Sequence, residues 1–155
     1  MARFPDLRRA VVLAGLSAAV LVRAGPAMAA SPSIEGRWLT DDRKALVQIA
    51  PCGTAMCGTI YQILDKGRDV PTTDSLNPVR ALQSRPLIGL PVLTGFTGDG
   101  PSWTGGRAYD PKAGKSYRAS LHLQTPDQLV VTGCIFVFCE AKNWTRLAPA
   151  ARLTR

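Results

Sequence analysis

The chain is poor in the residues that metal and acid–base chemistry draw on. It has a single histidine, His122, whereas zinc sites gather four Cys or His ligands from close spacings. His122 falls on the polar side of a strand-like segment, and no serine or cysteine constellation can be tied to it by spacing. It reads as a surface histidine. Paired carboxylates are scarce: Asp41 and Asp42 adjoin a turn and Asp110 begins one, each in a turn-forming role. A glycine-rich phosphate loop is missing, because Gly98–Gly100 and Gly105-Gly106 precede strand rather than helix. Basic residues do not form runs, which argues against nucleic acid. Internal repeats, low-complexity tracts and coiled-coil heptads are also lacking. These absences predict no catalytic residue, no bound metal and no cofactor.

Long hydrophobic runs are lacking too. The opening MARFPDLRR carries three arginines, and the apolar run from Ala10 to Val22 is thirteen residues, too short for a hydrocarbon core that needs ~20 helical residues. With the small-residue stretch AGPAMAA behind it, this reads as a secretory signal peptide over residues 1–29, cleaved after Ala29. No cysteine lies near that site to carry a lipid. The Arg8-Arg9 pair hints at twin-arginine export, but general secretion is the simpler route. Cleavage removes Arg3, Arg8, Arg9, Arg23 and Asp6 from a formal net charge of +8, leaving +5. Much of the basicity is therefore targeting, and the expected location is periplasmic or secreted. The rest is long enough for one core.

What the chain does have is four cysteines in two equally spaced pairs, Cys52 with Cys57 and Cys134 with Cys139. In an exported chain an even count reads as structural disulfides. A redox pair would favour C-x-x-C at a helix start, and here four residues separate each pair in strand-like surroundings. Counting allows three connectivities. Cys52 and Cys57 flank a four-residue connection and can face each other across a hairpin neck; so small a ring is worth only ~2 kcal/mol, while crossed pairings would stabilise more. Between Cys134 and Cys139 lies IFVF, either an exposed loop at a ligand entrance or partner surface, or a buried strand whose cysteines pair elsewhere.

Glycine and proline punctuate short segments rich in Val, Ile, Leu, Thr and aromatics. Tyr117, Ala119, Leu121 and Leu123 alternate with polar residues at period two, the signature of a half-buried strand. Strands are predicted over residues 36–40, 45–50, 57–64, 91–96, 103–110, 116–124, 128–135 and 141–146. DPKAG at 110–114 suits a hairpin turn. Eight short antiparallel strands with little helix predict an all-β class and a single closed barrel over residues 30–146. Residues 65–90 are too long and polar for a simple turn; Asn77 as cap and Pro78 at the first helical position predict two helical turns flanking or plugging a barrel end, stopped by Pro86. Residues 147–155 lack a strand pattern and are expected to fray as a flexible tail.

Gly36-Arg37-Trp38 near the start and Trp144-Thr145-Arg146 near the end resemble the calycin pattern of lipocalins, in which a first-strand tryptophan closes the barrel base under a late arginine. Trp38 and Arg146 are the matching positions. A guanidinium stacked on an indole can also donate to the carbonyls around it. Over nearly the whole exported part, segments such as ALVQIAPCGTAMCGTIY, NPVRALQSRPLIGLPVL, WTGGRAYDPKAGKSYRA and GCIFVFCEAKNWTR resemble the bacterial domain of unknown function family 2147. That resemblance implies a lipocalin-like barrel and an exported setting, makes loop staples of the cysteine pairs, and brings no agreed activity.

Two functions follow. A barrel of about eight strands is either packed solid or holds one small ligand. The first expectation is a noncatalytic, monomeric binder of a small apolar or amphiphilic molecule, with Tyr61, Phe96, Phe136 and Phe138 at the wall or rim and Arg80 or Arg85 meeting an acidic headgroup. The second is a solidly packed module that contacts an envelope protein through residues 135–138. An enzyme, third, would need carboxylates or His122 to converge in a pocket that spacing does not predict.

Overall fold

Alternation at period two gives each strand one apolar face, and eight such faces can all be buried only if the sheet curls round them. The computed structural model, which describes residues 32–148, shows that arrangement. The strands are β1 (Gly36–Leu39), β2 (Ala45–Cys52), β3 (Ala55–Ile63), β4 (Pro91–Phe96), β5 (Ser102–Asp110), β6 (Lys115–Thr125), β7 (Gln128–Ile135) and β8 (Phe138–Arg146). Each pairs antiparallel with the next, and β8 returns to β1 through Trp38↔Arg146 and Leu39↔Thr145 to close an all-β barrel. On β6 the alternation is plain, with Ala119, Leu121 and Leu123 buried and Arg118, His122 and Gln124 exposed. The signal peptide read over residues 1–29 and the tail beyond Ala148 lie outside the described residues. Leu147 donates its N–H to the Arg37 carbonyl, 2.8 Å away, and so extends the seam.

Up-and-down connection gives the barrel two unlike ends. The chain entering β1, the β2–β3, β4–β5 and β6–β7 connections and the end of β8 gather at one end, which is plugged. There Ile34, Trp38, Phe96 and Leu129 are wholly buried, each such side chain contributing ~1.5–3 kcal/mol of burial. Gly106 on β5 faces inward, and a Cβ built on it would lie 2.5 Å from the Phe96 ring. The missing side chain is what lets that ring lie against the wall. Beneath this plug the Arg146 guanidinium stacks on Trp38, 4.2 Å from the ring centroid. Its nitrogens donate to the carbonyls of Pro126 at 2.6 Å, Glu35 at 2.5 Å and Ser33 at 2.8 Å. Trp38 Nε1 donates to the Ile34 carbonyl at 2.8 Å. Arginine is suited to this place because its planar fork serves several acceptors while its face stays on the indole.

The disulfides are local and sit at opposite ends. Cys52–Cys57 clamps the β2–β3 neck at the plugged end, and Cys134–Cys139 spans the β7–β8 hairpin at the other, where the two residues are a cross-strand pair.

The long connection between β3 and β4 departs from the expected helix. Only Arg80–Leu82 is helical, as a 3₁₀ turn, and Val79 precedes it rather than Asn77. Its bonds run from Leu82 N to Val79 O and from Gln83 N to Arg80 O, and none of its residues is buried. An α-helix needs an apolar face to pack, and this segment presents none. The Asn77 side chain does accept from the Val79 N–H at 2.8 Å, but its amide is engaged elsewhere.

Candidate ligand cavity and its rim

The end opposite the plug is open. There the inward side chains are too small or too far apart to meet, and a cavity of about 1090 Å³ remains. Its deep walls are apolar, built by Val47, Ile60, Val92, Leu93, Val131 and Trp144. Its rim is charged, with Asp42, Lys44, Asp65, Lys112, Glu140 and Lys142 from three strand connections and the top of β8.

One part of the wall is the β3–β4 connection, and a buried carboxylate holds it in place. Asp74 is wholly inaccessible. Its Oδ1 accepts from the Tyr109 hydroxyl at 2.5 Å, and its Oδ2 accepts from Asn77 Nδ2 and Arg85 Nη2, both at 2.7 Å. Asn77 Nδ2 also reaches the Tyr109 oxygen at 3.1 Å. Burial would push the Asp74 carboxyl up, but the donors Tyr109, Arg85 and Asn77 outweigh it and hold the group below its ordinary 3.8. Burial and the neighbouring carboxylate push the Tyr109 phenol above its ordinary 10.0. The connection is thus bolted to β5, and Leu87, also buried, turns into the cavity. Gly114, at φ 64, completes the docking: a Cβ there would overlap the Leu76 carbonyl.

Ion pairs tie the rim together. Lys44 reaches Asp65 at 2.9 Å, Lys112 pairs with Asp42, and Lys142 pairs with Glu140 and lies 3.9 Å from Asp41. Asp42 also accepts from Thr40 Oγ1 at 2.7 Å and from the Lys44 N–H at 3.1 Å. Burial opposes its ionisation, yet the Lys112, Thr40 and Lys44 donors hold its carboxyl below the ordinary value. Beside the rim stands the β7–β8 tip, whose residues Phe136 and Val137 are almost fully exposed.

Of the residues named from sequence as ligand contacts, Phe138 lines the cavity and the other five do not. Tyr61 faces outward with the Arg37 guanidinium 3.8 Å above its ring. It follows Ile60, which faces the cavity, so the period of two turns it out; the ladder then skips it, since Val47 pairs Ile60 and Leu46 pairs Gln62, and this bulge brings Ile63 rather than Gln62 inward. Phe96 is in the plug, spent on packing against Gly106. Arg80 is exposed on the 3₁₀ turn, and Arg85 is consumed by Asp74. Phe136 points into solvent from the hairpin apex. The Asp74 group went unread because its partners stand 11 and 35 residues away; the one local signal was Asp and Asn three apart in a segment without strand pattern.

His122 Nδ1 is 2.9 Å from Ser102 Oγ, an exposed cross-strand pair on the outer wall. Among the described residues no cluster of three His, Cys, Asp or Glu side chains could hold a metal ion. No helix among them is long and apolar enough to cross a membrane.

An eight-stranded antiparallel barrel plugged at one end under a Trp–Arg stack and open at the other is a lipocalin-like barrel. Among solved structures the chain is similar to protein HP1028 from the human pathogen Helicobacter pylori, described as belonging to the lipocalin family. The TM-score is 0.67 at 21% identity, covering 75% of this chain and 84% of that one. The chain belongs to the family described as "Uncharacterized protein conserved in bacteria (DUF2147)", which matches residues 36–146. No curated protein matches it.

Proposed function

We propose that this protein is an exported, noncatalytic and monomeric barrel that binds one small amphiphilic molecule, its apolar part in the cavity and its polar end among the rim charges. The observation that supports this reading is the cavity: about 1090 Å³, apolar in depth and charged at the mouth. Small-molecule sites span ~300–1,000 Å³ and share that division between apolar walls and a few polar groups. The periplasm or the exterior is the setting in which the two disulfides persist.

Trp144 lines the cavity, whereas Trp38 and Trp103 are buried outside it, so a ligand can be followed by tryptophan emission. Palmitate and a lysophospholipid serve as probes. The expected result is a saturable change in emission and a rise in melting temperature, since a ligand that binds only the folded state stabilises it. Ala108→Phe projects a ring into the cavity and should weaken both changes, and its melting temperature without probe reports whether the fold is intact. The reading fails if neither probe nor a lipid extract alters emission or melting, and if native mass spectrometry of protein from its own cells finds no retained ligand.

A further inference from the structure

We propose that the open end of the barrel docks on an anionic lipid surface, with the β7–β8 tip inserted among the lipids and the cations around the mouth against their headgroups. Four consecutive apolar residues form that tip: Ile135, Phe136, Val137 and Phe138 are 48%, 87%, 85% and 79% exposed. Single exposed apolar side chains are ordinary, but a contiguous run at an apex marks a contact surface. Phe136 moreover sits at φ 53, a value that glycine normally supplies in a two-residue hairpin turn. The chain therefore tolerates backbone strain in order to carry an aromatic ring at its outermost point, and such strain gathers at functional positions.

The tip is also fixed beforehand. The Cys134–Cys139 bond lies directly beneath it, so insertion does not have to order a loose loop.

Charge at the same end selects the partner. Arg43, Lys66, Arg68, Arg80 and Lys115 are exposed at this end and form no ion pair among the described residues; against these five stand unpaired Asp69, half-buried Asp110 and one charge from Asp41 and Glu140, which share Lys142. Each such cation near an anionic bilayer is attracted to it, and an apolar wedge flanked by cations is the pattern of interfacial binding. A protein partner would have to supply a groove for a convex apex, whereas lipid closes around one. The chain enters β1 and leaves β8 at the plugged end, away from this surface. Docking of this kind does not require the cavity to be occupied.

Cosedimentation of the full, cell-processed chain with vesicles tests it, comparing phosphatidylglycerol–phosphatidylethanolamine vesicles with phosphatidylcholine ones. The expected result is about tenfold or greater preference for the anionic vesicles, lost as salt rises to about 0.5 M. Phe136→Ser with Phe138→Ser should weaken binding about tenfold at unchanged melting temperature. Lys66→Glu with Arg68→Glu should erase the preference for anionic lipid while the tip remains intact. Absence of vesicle binding overturns the proposal, as does equal binding by the wild type and the double serine variant. A crosslinked protein partner lost in the serine variant, with no vesicle binding, overturns it in favour of a protein contact.

Discussion

Lys112 and Asp42 form an ion pair that joins the β5–β6 turn to the β1–β2 turn, half-way round an eight-stranded ring. The pair is a strut across the mouth of the cavity. Both side chains are partly exposed, so its energy is ~0–1 kcal/mol, too little to matter for stability and enough to matter for access. Lys112→Met should lower the melting temperature by no more than about 4 °C while palmitate enters and leaves several-fold faster in stopped-flow. Equal rates in the two proteins would remove the strut's role. Because the Asp42 carboxyl lies below its ordinary value, the strut stays charged at pH 4 and above and loosens as acid protonates it.

The Asp74 group carries a pH signature on both sides. Its depressed carboxyl contributes stability in full above its ordinary 3.8, lost as pH falls toward the lower folded value. The raised Tyr109 phenol contributes below 10.0, and that contribution is lost as pH climbs through the higher folded value. The connection should therefore resist proteolysis on a plateau between about pH 4 and pH 10 and become cleavable outside it. Asp74→Ala, which strands the buried donors of Asn77 and Tyr109, should cost about 2–3 kcal/mol and remove the acid edge; Tyr109→Phe removes the alkaline edge and, by taking a donor from Asp74, moves the acid edge to higher pH.

Gly106 and Phe96 make a packing prediction. Gly106→Ala places a methyl group against the ring, and overpacking of this kind costs about 1–3 kcal/mol. Combining it with Phe96→Leu should recover part of the loss in denaturant melts; additive losses would show that the two sites are independent.

Arg146→Lys preserves the charge but not the fork. A lysine carries its three donors on one nitrogen, which cannot reach carbonyls that Nε, Nη1 and Nη2 serve separately or lie flat on Trp38, so a loss of about 2 kcal/mol is expected. Hydrogen exchange should locate it at residues 33–35 and at Asp127, with the mouth end unaffected.

The strands were legible because their period of two survives along most of the ladder: residues 91–96 and 128–135 coincide with β4 and β7. The same regularity misled where it breaks. Tyr61, expected at the wall or rim, follows inward Ile60 and so faces out, and beyond it a bulge that only the pairing with β2 creates brings Ile63 rather than Gln62 to the cavity. The 3₁₀ turn failed as a helix because propensity could suggest a start, but burial of an apolar face was needed to sustain it. The cavity was the first expectation with a solid core as the second, and the sequence could not decide between them because whether inward side chains meet depends on barrel width and on how the β3–β4 connection folds over the rim. Asp74, Tyr109 and Arg85 come from three distant places in the chain, and no spacing rule joins them.

Both ends of the described chain, at Pro32 and Ala148, emerge beside the plug rather than beside the mouth. The molecule consequently has a handle at one pole and a working surface at the other. A fluorophore or an immobilising linker attached at Pro32 or Ala148 would sit at the pole opposite the rim residues and the hydrophobic apex, and on a sensor chip all copies would face the same way.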